Sequence, residues 1–313
     1  MAPIDTAMKV FIHPGFGKTG TTTLQENFFA RHPAILSIGR PYSGQAAEIA
    51  ETMLLPDGVG FDPTRLRTLV ERTLAERQRP GQGCIVWSDE KLTSNAYLRQ
   101  GIAGRIKALF PEARILFTIR NQLRALESFY ANHGRKLKKV PNPYPGRLVS
   151  LEDWLEFAFV TRQTSYLGLI DYANSIGIYE SVFGRENVHV LLFEDMIQHK
   201  EEFADRLSGL LGIEAAPSRK LFMSKQRNPR DSRRLLRYSA FRERFLPGVK
   251  FSTILPGGRK LHRSLLAYLS SGDRIAAAIP ESWEPRLADL YRAGNAKLIE
   301  QRGLPLEKYG YPA

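Results

Sequence analysis

The chain has a single cysteine in 313 residues, Cys84, so no internal disulfide can staple it, and its place in an apolar run marks it as a small buried hydrophobe. No apolar run is long enough to span a bilayer, and the opening residues Met1-Ala-Pro-Ile-Asp-Thr6 lack the basic and apolar regions of a secretory signal. Internal repeats and low-complexity tracts are absent too. Together these absences are what a cytoplasmic protein would show. Acidic residues are in deficit, 32 against 45 basic ones, and the net charge of +13 calls for an anionic partner. The densest basic stretch, Arg219 to Arg244, reads mostly as a solvated helix face, and no aromatic-studded RNA-binding signature accompanies it, so nucleic acid is not the expected partner.

What is present begins at residues 8 to 24, which read as a short buried strand, a glycine-bearing turn and the first turn of a helix. Gly15, Gly17 and Gly20 permit positive φ and close approach of the backbone to a ligand, and the amides of residues 18 to 22 open a helix whose dipole favours negative charge. Lys18 adds a full charge. The segment is an anion cradle. It is not a nucleoside-triphosphate P-loop, because that pattern requires glycine where Ile12 stands. It resembles the phosphosulfate-binding loop of sulfotransferases that use 3′-phosphoadenosine 5′-phosphosulfate (PAPS), in which a glycine precedes Lys-Thr-Gly-Thr-Thr and a hydrophobic residue. Gly15, Lys18, Thr19, Gly20, Thr21, Thr22 and Leu24 match that form. The resemblance implies that the loop, Gly15, Phe16, Gly17, Lys18, Thr19, Gly20, Thr21 and Thr22, binds the co-substrate.

A second signal lies at Arg114-Ile-Leu-Phe-Thr-Ile119, an apolar run of strand length that ends abruptly at Arg120-Asn121. Asn121 suits a helix N-cap, and Leu123, Leu126 and Tyr130 then recur at helical spacing. Arg120 therefore sits at the carboxyl end of a strand, where ligands bind in open α/β sheets, and Arg124 and Ser128 follow on one side of the helix. Such a set can grip a phosphate by charge-assisted bonds. In the sulfotransferases an Arg, followed eight residues later by Ser, binds the 3′-phosphate of PAPS, and Arg120 and Ser128 match that arrangement.

Softer resemblances follow. Glu186 to Asp195 and the helical pattern through Leu210-Leu211-Gly212 look like a late strand and helix of the same family, with Glu194 and Asp195 in structural roles. The tail Leu304 to Pro312 resembles those of glycan-modifying and bacterial members. Without a recognisable membrane anchor, the chain reads as a soluble bacterial member similar to the carbohydrate sulfotransferases. A basic loop closes over the nucleotide in this family, and Arg227 and Asn228 in Lys225-Gln-Arg-Asn-Pro-Arg230 are the candidates for it. The proline-rich stretch 139 to 150 is a candidate acceptor-site wall or lid, with Tyr144 as a sugar contact or simply a packed loop residue.

The chemistry implied is in-line transfer of a sulfuryl group to a hydroxyl, of a carbohydrate or glycolipid by resemblance, with charge gathering on the bridging oxygen of the leaving 3′-phosphoadenosine 5′-phosphate. Lys18 would stabilise that oxygen, the loop amides with Thr19, Thr21 and Thr22 would hold the 5′-phosphate, and no metal is required. The acceptor needs a general base. Residues 84 to 88 read as a core strand delivering Asp89-Glu90-Lys91 to the cradle's edge. Glu90 is the first candidate base, then Asp89, then His133; the same acids could instead pair with nearby cations. Two rivals stay open. Asp89 and Thr19 could ligate the metal of an ATP-dependent small-molecule kinase, although Ile12 and the Arg120–Ser128 pair count against it. A non-enzymatic anion-binding protein would use the charge but leave the cradle idle.

The expected fold is α/β: a central parallel sheet from strands near 8–13, 84–88, 114–119 and 188–193, flanked on both sides by helices near 21–31, 97–110, 122–138 and 196–211. Residues 1–313 would make one domain, with an α/β core at 8–215 and a mainly helical or irregular part at 216–313; a long connection is expected near 40–65.

Overall fold

The computed structural model describes residues 3–57, 60–134, 149–224, 258–271 and 277–312, with scattered positions between 232 and 245. Five strands form one sheet: β1 (Lys9–His13), β2 (Ile35–Gly39), β3 (Cys84–Ser88), β4 (Arg114–Ile119) and β5 (Val188–Leu192). Their order is β2-β3-β1-β4-β5 and every pairing is parallel. The apolar runs explain this choice. A parallel sheet is covered on both faces, so its strands must be apolar on both, and β3 is buried at every position.

The two faces separate by strand alternation. Phe11, Val86, Leu116 and Leu191 point to one side, where they pack with Leu24, Phe28, Met196, Phe203 and Leu207. Those partners come from the helices Thr23–Phe29, Phe193–Gln198 and Lys200–Leu211. On the other side the Phe117 ring meets Tyr179, of helix Tyr172–Phe183, edge-on at 5.3 Å. The predicted α/β architecture with a parallel sheet flanked by helices is the one observed.

Four of the five strands fall where the apolar runs place them, within a residue at each end. β2 is additional, and the stretch expected as a long connection contains the helices Ala46–Met53 and Pro63–Arg77. The helix expected over 21–31 is shorter and wound as a π-helix over Thr23–Phe29, and the one expected over 196–211 is two helices that part at His199. After Gln122–Phe129 the chain continues as a π-turn over Tyr130–Gly134, and positions 135–138 of the expected helix lie outside the described residues.

Contacts gather into two compact units. The first comprises Met1–Gln122, Gly168–Gln226 and Leu290–Ala313 and contains the whole sheet. The second comprises Leu123–Leu167 and Arg227–Asp289. Its interior is aromatic: Phe129 stacks on Tyr166 at 3.8 Å, Trp154 is buried beside Phe129, and Tyr130 Oη donates to the Val149 carbonyl at 2.7 Å.

Candidate active site

β1 ends at His13, and the chain turns through Pro14–Gly20 before entering the helix at Thr23. Positive φ falls on Lys18 (+70°) and Gly20 (+88°), rather than on Gly15 or Gly17. A side chain at Gly20 would run into Met196 and lie 2.9 Å from Phe193 Cδ2, and one at Gly15 would strike Thr21 Cγ2. These glycines thus let the loop close down on its own scaffold. Phe16 anchors it from below, its buried ring stacked 5.4 Å from Phe117 and edge-on to Tyr172 at 4.8 Å. Any contact from Phe16 to a ligand must come from its backbone.

The threonines differ in what they leave free. Thr19 is buried and its hydroxyl donates to the Phe16 carbonyl at 2.7 Å, closing the turn. The buried Thr21 hydroxyl donates to Glu90 Oε1. Each hydroxyl has one proton, so in this arrangement neither Thr19 nor Thr21 can also donate to a phosphate. Thr22 is exposed at the helix N-terminus.

β3 delivers Asp89 and Glu90 to the same edge. Glu90 immediately precedes the short helix Lys91–Ser94 and reaches back to Thr21. Asp89 is fully buried, accepting from Tyr42 Oη at 2.7 Å and from the Lys91 amide at 3.0 Å. Burial raises its pKa, and the bonds from Tyr42 and Lys91 partly offset that rise. With one bond to each oxygen, Asp89 braces the chain that follows β2 against the end of β3. Thr93 Oγ1 donates to the Gly15 carbonyl at 2.8 Å, and the buried Arg99 guanidinium donates to the Thr93 carbonyl at 2.9 and 3.2 Å. The loop region is thus tied at two points to the segment that follows β3.

β4 delivers Arg120. Its Nη1 donates to the Lys18 carbonyl at 3.1 Å, and its guanidinium carbon lies 4.5 Å from the centre of the Phe193 ring. The half-buried guanidinium therefore holds the strained loop residue and flanks the cradle. Asn121 turns elsewhere: its side chain donates to the Tyr309 and Gly310 carbonyls at 3.1 and 2.6 Å, and its amide donates to Glu194 at 2.9 Å. Glu194 also accepts from Tyr311 Oη at 2.9 Å, and Asp195 accepts from Tyr309 Oη. Both acids fasten the tail, in place of the helix capping or arginine pairing that the sequence suggested for them.

A polar group beneath the loop escaped the sequence reading. His13 is fully buried, with Nδ1 2.7 Å from Ser88 Oγ and Nε2 3.4 Å from Thr118 Oγ1. Burial lowers its pKa to about 3, so it stays neutral at physiological pH. Each member is the lone polar side chain near the end of an apolar strand, and that was the available signal.

Ser128 is half-buried on the helix Gln122–Phe129 in the second unit, its carbonyl accepting from Asn132 at 3.0 Å. Arg124 is exposed and pairs with Glu127 at 3.1 Å. His133 lies in the π-turn, its side chain outside what is described; Arg227, Asn228 and Tyr144 lie outside the described residues altogether.

No family model matches the chain, and no curated protein matches it in sequence. Among solved structures it is similar to a sulfotransferase from Alicyclobacillus acidocaldarius, 16% identical, with a TM-score of 0.59 over 97% of this chain and 99% of that one. The chain has the sulfotransferase fold. More distant likenesses are the sulfotransferase domain from the curacin biosynthetic pathway (13% identical, TM-score 0.47, 71% of this chain and 80% of that one) and mouse sulfotransferase SULT7A1 complexed with PAP (14%, 0.46, 99% and 91%). Within this sulfotransferase fold, the Lys18 loop, Glu90 and Arg120 meet at the carboxyl ends of three adjacent strands, β3, β1 and β4.

Proposed function

We propose that this chain transfers a sulfuryl group from PAPS to a hydroxyl acceptor and releases 3′-phosphoadenosine 5′-phosphate. The observation that carries the reading is the meeting of a strained Lys18, the Arg120 guanidinium bonded to its carbonyl, and the Glu90 carboxylate at one sheet edge. The donor set fits a doubly phosphorylated nucleotide: loop amides at a helix N-terminus, the Thr22 hydroxyl, and two part-exposed cations. Lys18 would offset charge on the departing bridging oxygen. Arg120 would take the 3′-phosphate, to which the sequence resemblance also assigns Ser128, and the resemblance alone gives Arg227 and Asn228 to the nucleotide. No metal is needed when these groups supply the charge.

Glu90 is the base of choice. Its bond from Thr21 fixes a carboxylate oxygen at the cradle, and the acceptor proton passes to it as the acceptor oxygen bonds to sulfur and the sulfur–phosphate oxygen bond breaks. The acceptor proposed is a carbohydrate or glycolipid hydroxyl. The test is nucleotide release from PAPS in the presence of sugar, glycolipid and simple alcohol acceptors, with and without a chelator. Turnover indifferent to chelation is expected, and Glu90→Gln should lower it about 100-fold or more while leaving nucleotide affinity unchanged. Turnover that needs ATP and magnesium would overturn the proposal; full activity in Glu90→Gln would remove Glu90 from its role.

A further inference from the structure

Residues 227–270, all in the second unit, hold eleven lysines and arginines against two acidic residues, Asp231 and Glu243, so most of the net charge of +13 falls there. Charge by itself would make only a solvated surface. This one is apolar as well. The described positions between 234 and 245 are helical, and Arg234, Arg237, Phe241 and Phe245 recur among them at steps of three and four, which puts them on one face. All four are exposed, the two phenylalanines by 56% and 58%, and their rings lie 4.9 Å apart.

The helix Gly258–Ser270 extends the same surface. It alternates basic residues, Arg259, Lys260 and Arg263, with leucines in its sequence, yet none of its described side chains is buried. Leu265 and Tyr268, one turn apart, are exposed, Tyr268 by 61%. The Ser232 hydroxyl donates to the Leu269 carbonyl, and the Arg234 guanidinium carbon lies 5.4 Å from the centre of the Tyr268 ring, so the two segments are joined. Large apolar side chains standing out among arginines are costly in water and mark a contact surface.

We infer that this surface docks on an anionic phospholipid membrane. Phe241, Phe245, Leu265 and Tyr268 enter the boundary between headgroups and acyl chains, and Arg234 and Arg237 meet the lipid phosphates. Charge decides against a second copy of the chain, because two such faces would repel one another. The aliphatic Leu265 beside the rings suits acyl chains better than stacked nucleic-acid bases. The inference does not rest on the activity proposed above.

Co-sedimentation of the full chain with vesicles tests it. Vesicles of phosphatidylcholine mixed with phosphatidylglycerol should retain the chain, vesicles of phosphatidylcholine alone should not, and added salt should release it. Phe241→Ser combined with Phe245→Ser should weaken retention about tenfold or more, and so should Arg234→Gln combined with Arg237→Gln. All four positions are exposed, so urea midpoints should match the parent. Lipid phosphates held at the Lys18 cradle would not respond to the phenylalanine pair. No retention by the mixed vesicles, equal retention by phosphatidylcholine alone, or retention unchanged in either pair would overturn the inference. So would single-stranded RNA that binds more tightly through the same residues, or self-association that the phenylalanine pair abolishes.

Discussion

A non-glycine residue at positive φ costs about 1–3 kcal/mol, and Lys18 is the one such residue among those described. Strain and charge at this position can be separated. Lys18→Gly relieves the backbone and removes the ammonium, so the variant should be at least as stable as the parent in urea while losing nearly all turnover. Retained turnover would remove Lys18 from the mechanism. His13 acts below the loop and through stability. Its folded pKa of about 3 lies beneath the ordinary 6.5, so the unfolded chain binds a proton that the folded chain refuses. Stability is therefore full above pH 6.5 and is lost as the pH falls from there towards 3, by about 1.4 kcal/mol per unit. Urea midpoints of His13→Gln, compared with the parent at pH 7, 6 and 5, should show a shallower acid slope; parallel slopes would contradict this account.

At the scale of elements, the C-terminal tail is fixed by hydrogen bonds to the carboxylates that follow β5 and to Asn121. Tyr311 is almost fully buried and donates to Glu194, which also holds the Asn121 amide beside Arg120. Tyr311→Phe removes a bond to a charged acceptor and should cost about 1.5–3 kcal/mol in chemical denaturation, with faster hydrogen exchange at the Asn121 amide. An unchanged midpoint would show the tail to be merely apposed. The central strands were legible because each carries an apolar run with its polar residues near the ends. β2 was not: Ser37 interrupts Ile35-Leu-Ser-Ile-Gly39, and the strand pairs only with β3 at the sheet's edge. The helix from Pro63 did carry a start signal, with Asp62 accepting from the Thr64 and Arg65 amides at 2.8 and 3.1 Å and proline opening the first turn, yet the stretch read as a connection. Strand ends located Lys18, Glu90 and Arg120 at one edge without any structure. The bond from Thr21 to Glu90 and the His13, Ser88 and Thr118 group required the order β3-β1-β4, which no local pattern specifies.

Across the whole molecule, the excess of 13 positive charges has two visible destinations. Lys18 and Arg120 stand at the carboxyl edge of the sheet, and Arg234 and Arg237 are exposed in the second unit. Among the described residues no helix is long and apolar enough to cross a membrane. The central claim is that the carboxyl edge reads a nucleotide by its 3′-phosphate without a metal. Calorimetric titration with 3′-phosphoadenosine 5′-phosphate against ADP, each with and without magnesium, tests it most directly. The account predicts that the 3′-phosphorylated nucleotide binds more tightly and that magnesium makes no difference; magnesium-dependent binding of ADP, or no binding of either nucleotide, would contradict it.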